Sequence, residues 1–86
     1  MATETMPYGR DELLEVLAIL TPQHRSRVAV GVEANRQRHG LSLHAAIRTT
    51  AVMEATNATL LGADPETVED CRMAVWAVGL AGAGLL

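Results

Sequence analysis

Thr50, Glu54 and Asn57 follow one another at spacings of four and three, so on a helix they draw a single polar line. The line runs through otherwise apolar surroundings, with Leu43 and Ile47 on one flank and Met53 on the other. An unpaired carboxylate held there has a raised pKa and can serve as a general base or a ligand. The commoner arrangement is a satisfied seam bonded to an Arg or His of a neighbouring helix, because buried polar groups are usually paired. Thr50, Glu54 and Asn57 are therefore read as a buried polar seam with a structural role.

The remaining chemistry-bearing residues point the same way. His24, His39 and His44 are the three imidazoles, and His39 and His44 flank a corner across which they can meet. No HxxxH, ExxH or CxxC spacing supports a metal. Cys71 sits at helical spacing between Val68 and Val75 and reads as a core residue, since reactive thiols need a basic or helix-start setting. There is no glycine-rich phosphate loop, no nucleophile elbow and no carboxylate pair suited to hydrolysis. No enzyme, cofactor or metal site is expected.

All seven basic residues are Arg. Forked guanidinium groups suit carboxylate or phosphate recognition, but a GC-rich genome also favours Arg together with Ala and Gly. Charge is segregated. Residues 1–21 carry Arg10 against Glu4, Asp11, Glu12 and Glu15, for −3. Residues 22–50 carry Arg25, Arg27, Arg36, Arg38 and Arg48 against Glu33, for +4. Residues 51–86 carry Arg72 against Glu54, Asp64, Glu66, Glu69 and Asp70, for −4. The basic middle admits a nucleic-acid reading, in which a helix, a tight Gly turn and a second helix resemble a helix-turn-helix in outline. Against it stand a net charge of −3 and the mild helix start "SLHAA". The competing reading pairs these Arg side chains with acidic neighbours within the bundle or across an interface, where they set orientation more than stability.

The elements that position these residues are helices. At 86 residues the chain makes one domain, with 49% apolar and 20% charged residues. Its apolar set is fourteen Ala, eleven Leu and eight Val, with no Phe, one Trp and one Tyr. Small side chains let helices approach closely yet bury little each, and so thin a core often needs a second copy or a partner. Residues 1–8 are expected to be flexible and residues 9–86 to form a single helical domain. Helices are expected over roughly 10–20, 22–38, 43–61 and 65–83, as an all-α bundle or orthogonal array. Leu13, Val16, Leu17 and Leu20 give the first its buried stripe, and His24, Val28, Val32, Asn35 and His39 line one side of the second. Thr21–Pro22 and Asp64–Pro65 supply caps with Pro at the first helical position, Ser42 caps the third helix, and Gly40 and Gly62 end two of them. Val28, Val30 and Val32 also alternate as in a strand, so residues 27–33 carry a competing reading that the flanking helix signals outweigh.

From Met73 the chain runs "MAVWAVGLAGAGLL", without a charge or strongly polar side chain. Fourteen helical residues reach about 21 Å, short of a bilayer core of about 30 Å, so no membrane span is expected. A helix apolar all round is either central in its own fold or shared with another chain. An 86-residue domain is expected to cover only one side of it. The reading adopted puts Val75, Trp76, Gly79, Leu80 and Ala83 at an interface, with Trp76 and Leu80 central, a close helix contact at Gly79 and fraying beyond Gly82. The alternative makes Trp76 a plug of the monomer's own core. A lone Cys and a start without a basic-then-apolar pattern suit the reducing cytoplasm. The expected function is a small helical interaction or assembly module, self-associating or docking a partner protein through its C-terminal helix. The second expectation is a nucleic-acid-binding regulator using the Arg-rich helices.

Overall fold

A computed structural model describes residues 7–86; the expected flexible start therefore lies mostly outside the described residues. Four helices follow in order: α1 (Arg10–Ile19), α2 (Pro22–His39), α3 (Leu43–Leu60) and α4 (Pro65–Gly82). Among the described residues there is no strand. The fold is the expected small all-α assembly of four helices.

Local chemistry sets the boundaries. Thr21, Ser42 and Asp64 sit in extended backbone, and their side-chain oxygens accept from the N–H of His24, Ala45 and Thr67 at 3.1, 3.2 and 2.8 Å. Each satisfies one of the orphan donors that open a helix. The Thr67 backbone N–H in turn holds the Asp64 carboxyl below its ordinary pKa. Gly40 and Gly62 take φ of +61° and +87°, and the following N–H groups reach back from Leu41 to the Arg36 carbonyl and from Ala63 to the Ala58 carbonyl, both at 3.0 Å. Only Gly enters that left-handed region without strain, so the two turns are cut where the sequence places Gly.

Residues 27–33 are helical throughout, and the valines show why. Val28 and Val32 are buried on the i, i+4 side of α2 while Val30 points outward. A strand would have put all three on one face.

The core gathers Leu13 from α1, Val28 and Val32 from α2, Ala46, Ile47 and Ala51 from α3, and Val75 to Val78 with Leu80 from α4. α4 packs against each of the other three helices, whereas α1 packs on α4 and meets α2 through the Arg25 side chain. Ala74, Val75, Trp76, Ala77 and Val78 are consecutive and all buried. Five successive residues exceed the 3.6 of one turn, so this stretch of α4 is enclosed on every side. The expectation that a small domain can cover only one side of its C-terminal helix is corrected. Alanines at Ala46, Ala51, Ala55, Ala74 and Ala77 leave three helices room to crowd around a fourth.

The segment before α1 is also tied down. Tyr8 is half-buried against the core cluster, and its hydroxyl donates to Glu69 of α4. Burial first, then the hydrogen bond to Glu69 and the Glu69 charge, push the phenol far above its ordinary pKa. The same bond, assisted by Arg72, holds the Glu69 carboxyl below its usual range. Tyr8, expected in the flexible start, is a packed residue.

Candidate functional site

The residues expected at an interface on α4 are mostly spent inside the monomer. Val75 and Leu80 are fully buried, and Trp76 is only 5% exposed. The Trp76 ring meets His44 of α3 in a tilted contact, with centroids 6.0 Å apart. At Gly79 α3 and α4 are in tight contact: a Cβ added there would stand 2.5 Å from Cγ1 of Ile47. The close contact expected at Gly79 exists, within one chain. Of the five, Ala83 alone is exposed, just past the end of α4. The expected interface on α4 is thus corrected to the monomer's own core, because α1, α2 and α3 all close on the same helix.

The polar line of α3 lies elsewhere, along a groove between α2 and α3 of about 570 Å³. Asn35 and Thr50 form its floor at 7% and 4% exposure. Asn35 Nδ2 donates to Thr50 Oγ1 at 2.9 Å and to Met53 Sδ at 3.5 Å, while Thr50 Oγ1 donates to the Ala46 carbonyl at 2.7 Å. At the rim Arg27 donates to Glu54 at 2.9 Å. Glu54 is therefore a paired carboxylate, with a side chain 23% exposed. Asn57 lines the same groove but is exposed, so the seam is buried only at Thr50. Asn57 stands seven residues, about two turns, along α3 from Thr50.

Asn35 is the member that sequence reasoning left unconnected. Its position on the inward side of α2 was legible from spacing, yet its partner Thr50 lies 15 residues away on another helix. The other groove walls are apolar. Val52, Met53 and Leu60 are 57%, 55% and 80% exposed and stand along it. Gly31 opens the α2 wall, where an added Cβ would meet only Thr50 Cγ2 at an ordinary 3.6 Å.

The five arginines expected as a basic patch do not share a face. Arg25 and Arg36 border crevices between α2 and α4, and Arg27 borders the groove with α3. Eleven residues of helix bring Arg36 back to the side of Arg25, whereas two residues swing Arg27 about 200° away. Arg25 donates to the Leu17 carbonyl, and Arg36 lies 3.8 Å from Glu33. Arg38 and Arg48 are exposed, and Arg48 also has an interaction partner.

His39 is exposed and His44 turns to Trp76, so the corner does not bring the two imidazoles together. Among the described residues no three His, Cys, Asp or Glu side chains converge. Cys71 is half-buried, and burial, with Glu54 and Asp70 adding to it, pushes its thiol up towards the protonated form. Among the described residues no helix is long and apolar enough to cross a membrane. In comparison with known proteins, the chain matches no family model, no curated protein and no solved structure.

Proposed function

We propose that this protein is a small helical interaction module that docks another protein chain along the α2–α3 groove and the outer side of α3. The observation that carries the reading is the row of Val52, Met53 and Leu60, each more than half exposed, on one wall of one groove. Single exposed apolar residues are ordinary, but a contiguous set with a polar rim marks a contact surface. The docking role expected from the sequence is kept, and its surface moves from α4 to α3.

The groove suits a side-chain ligand presented by a protein. Its apolar walls supply burial, and the Asn35–Thr50 floor and the Arg27–Glu54 rim supply direction. The nucleic-acid reading has less support, since Arg25, Arg27 and Arg36 are engaged within the fold and lie on different sides of α2. Submicromolar DNA binding that weakens steeply with salt would transfer the role to the arginines.

Site-specific photocrosslinking in cells that make the protein tests the reading. A photoreactive side chain at Val52 or Leu60 is expected to give discrete adducts to another chain, and one at the exposed Gln37 is not. Equal labelling at all three positions, or none at Val52 and Leu60, contradicts it.

A further inference from the structure

We infer that the chain docking on this surface is a second copy of the same protein, its α3 laid antiparallel on the first across a twofold axis. The inference rests on the docking role just proposed, and it adds the identity of the occupant.

Charge is the first argument. A twofold axis sets a surface patch against itself, so residue i meets residue j and j meets i, and the groups beside the axis meet their like. The outward strip of α3 from Val52 through Met53 and Thr56 to Leu60 contains none, and the exposed Arg48 stands one turn before it. Within α3 the charged residues are Arg48 and Glu54, and Glu54 is already bound by Arg27. The other helices expose charge: Asp11, Glu12 and Glu15 on α1, Glu33, Arg36 and Arg38 on α2, and Glu66, Asp70 and Arg72 on α4. With the axis beside Thr56, the middle turns of α3 meet their own copy without like-charge contact, and Arg48 stands about 12 Å along the helix from the axis.

Shape is the second argument. Val52, Thr56 and Leu60 form a ridge with a depression on each side, the larger shared with α2 and a smaller one of about 210 Å³ bordered by Arg72. A ridge beside a groove is self-complementary under a twofold axis, because the ridge of each copy enters the groove of the other. Gly31 and the small Thr56 keep the groove open to a Leu or Met side chain. Antiparallel packing also sets the two helix dipoles in opposition.

The thin core is the third. Five of the buried apolar residues are Ala, which bury little area each. Joining two exposed α3 faces adds contacts of Val, Met and Leu side chains to a core rich in alanine.

Sedimentation equilibrium of the purified full chain from micromolar to millimolar concentration tests the inference. The expected wild-type mass rises reversibly towards twice the monomer mass. Val52→Arg sets a charge against the apolar ridge of the second copy and is expected to weaken dimerisation by about tenfold or more. It should leave helical content and Trp76 emission unchanged. Ile19→Arg, on a still more exposed apolar residue of α1, is expected to leave dimerisation alone. A wild-type chain that stays monomeric at millimolar concentration overturns the inference, as does equal weakening by Ile19→Arg. A monomeric chain that still forms adducts from Val52 and Leu60 to a different protein overturns the second copy alone and leaves the docking role standing.

Discussion

Gly79 of α4 and Ile47 of α3 touch so closely that the structure has no room for a methyl group between them. The nearest Ile47 carbons, Cγ1 and Cδ1, would lie 2.5 and 2.6 Å from a Cβ at position 79. Ile47 is fully buried and β-branched, so it cannot swing aside without disturbing the core. Gly79→Ala gains about 1 kcal/mol of helix propensity, while overpacking a filled core costs about 1–3 kcal/mol. The expected net effect is a loss of stability in urea unfolding, against the usual sign for Gly→Ala in a helix. Gly82, beside which no atom lies within 4 Å, is the control: Gly82→Ala is expected to be neutral or stabilising.

Trp76→Ala removes the largest side chain of the core. Such truncations cost about 3–5 kcal/mol, a large share of what a domain of this size possesses. Unfolding is expected at all protein concentrations, read by far-ultraviolet circular dichroism in a dilution series. A folded helical monomer that has merely lost self-association would return Trp76 to an interface.

The ends of the helices were legible in the sequence because their signals are local. Thr21, Ser42 and Asp64 cap as their residue types demand, and Pro22 and Pro65 stand at the first helical positions. The inward faces of α1 and α2 were legible for the same reason, through the spacing of Leu13, Val28 and Val32. The role of α4 was not. A helical wheel ranks its faces by hydrophobicity, but the number of helices that close on them depends on side-chain sizes in all four. The Asn35–Thr50 bond and the Tyr8–Glu69 bond are equally tertiary. They join residues 15 and 61 positions apart, and no local pattern announces them.

The floor of the groove should behave as one unit. Thr50→Val leaves one Asn35 N–H without its oxygen acceptor, and Asn35→Leu leaves Thr50 with its bond to the Ala46 carbonyl. Stranding a buried donor costs about 1–3 kcal/mol, so Thr50→Val is expected to destabilise more than its volume change explains. In a double-mutant cycle by chemical unfolding, the Asn35→Leu/Thr50→Val chain is expected to lose less than the two single changes together. Additive losses would deny the coupling.

The Tyr8–Glu69 contact makes stability fall at both ends of the pH range. The folded phenol titrates above its unfolded value of about 10, so the folded chain holds its proton longer. That contribution is complete below pH 10 and is lost as pH rises above it. Glu69 has the opposite sign: its folded pKa is lowered, so its contribution is present above the ordinary Glu value and fades as pH falls through the folded one. Tyr8 is the sole tyrosine, so phenolate absorbance reports it alone. The expected titration in the folded chain begins well above pH 10, and Tyr8→Phe is expected to flatten the alkaline fall in melting temperature. A phenol that titrates at its ordinary value would show that the contact does not persist in solution.

Amide chemical shifts followed against protein concentration test most directly the division of labour between α4 as core and α3 as docking surface. On raising the concentration, shifts are expected at Thr49, Val52, Met53, Thr56 and Leu60, with the Trp76 indole N–H and residues 75–80 unmoved. Concentration-dependent shifts centred on Trp76, Gly79 and Leu80, with residues 49–60 silent, would contradict it and restore the C-terminal helix as the surface of association.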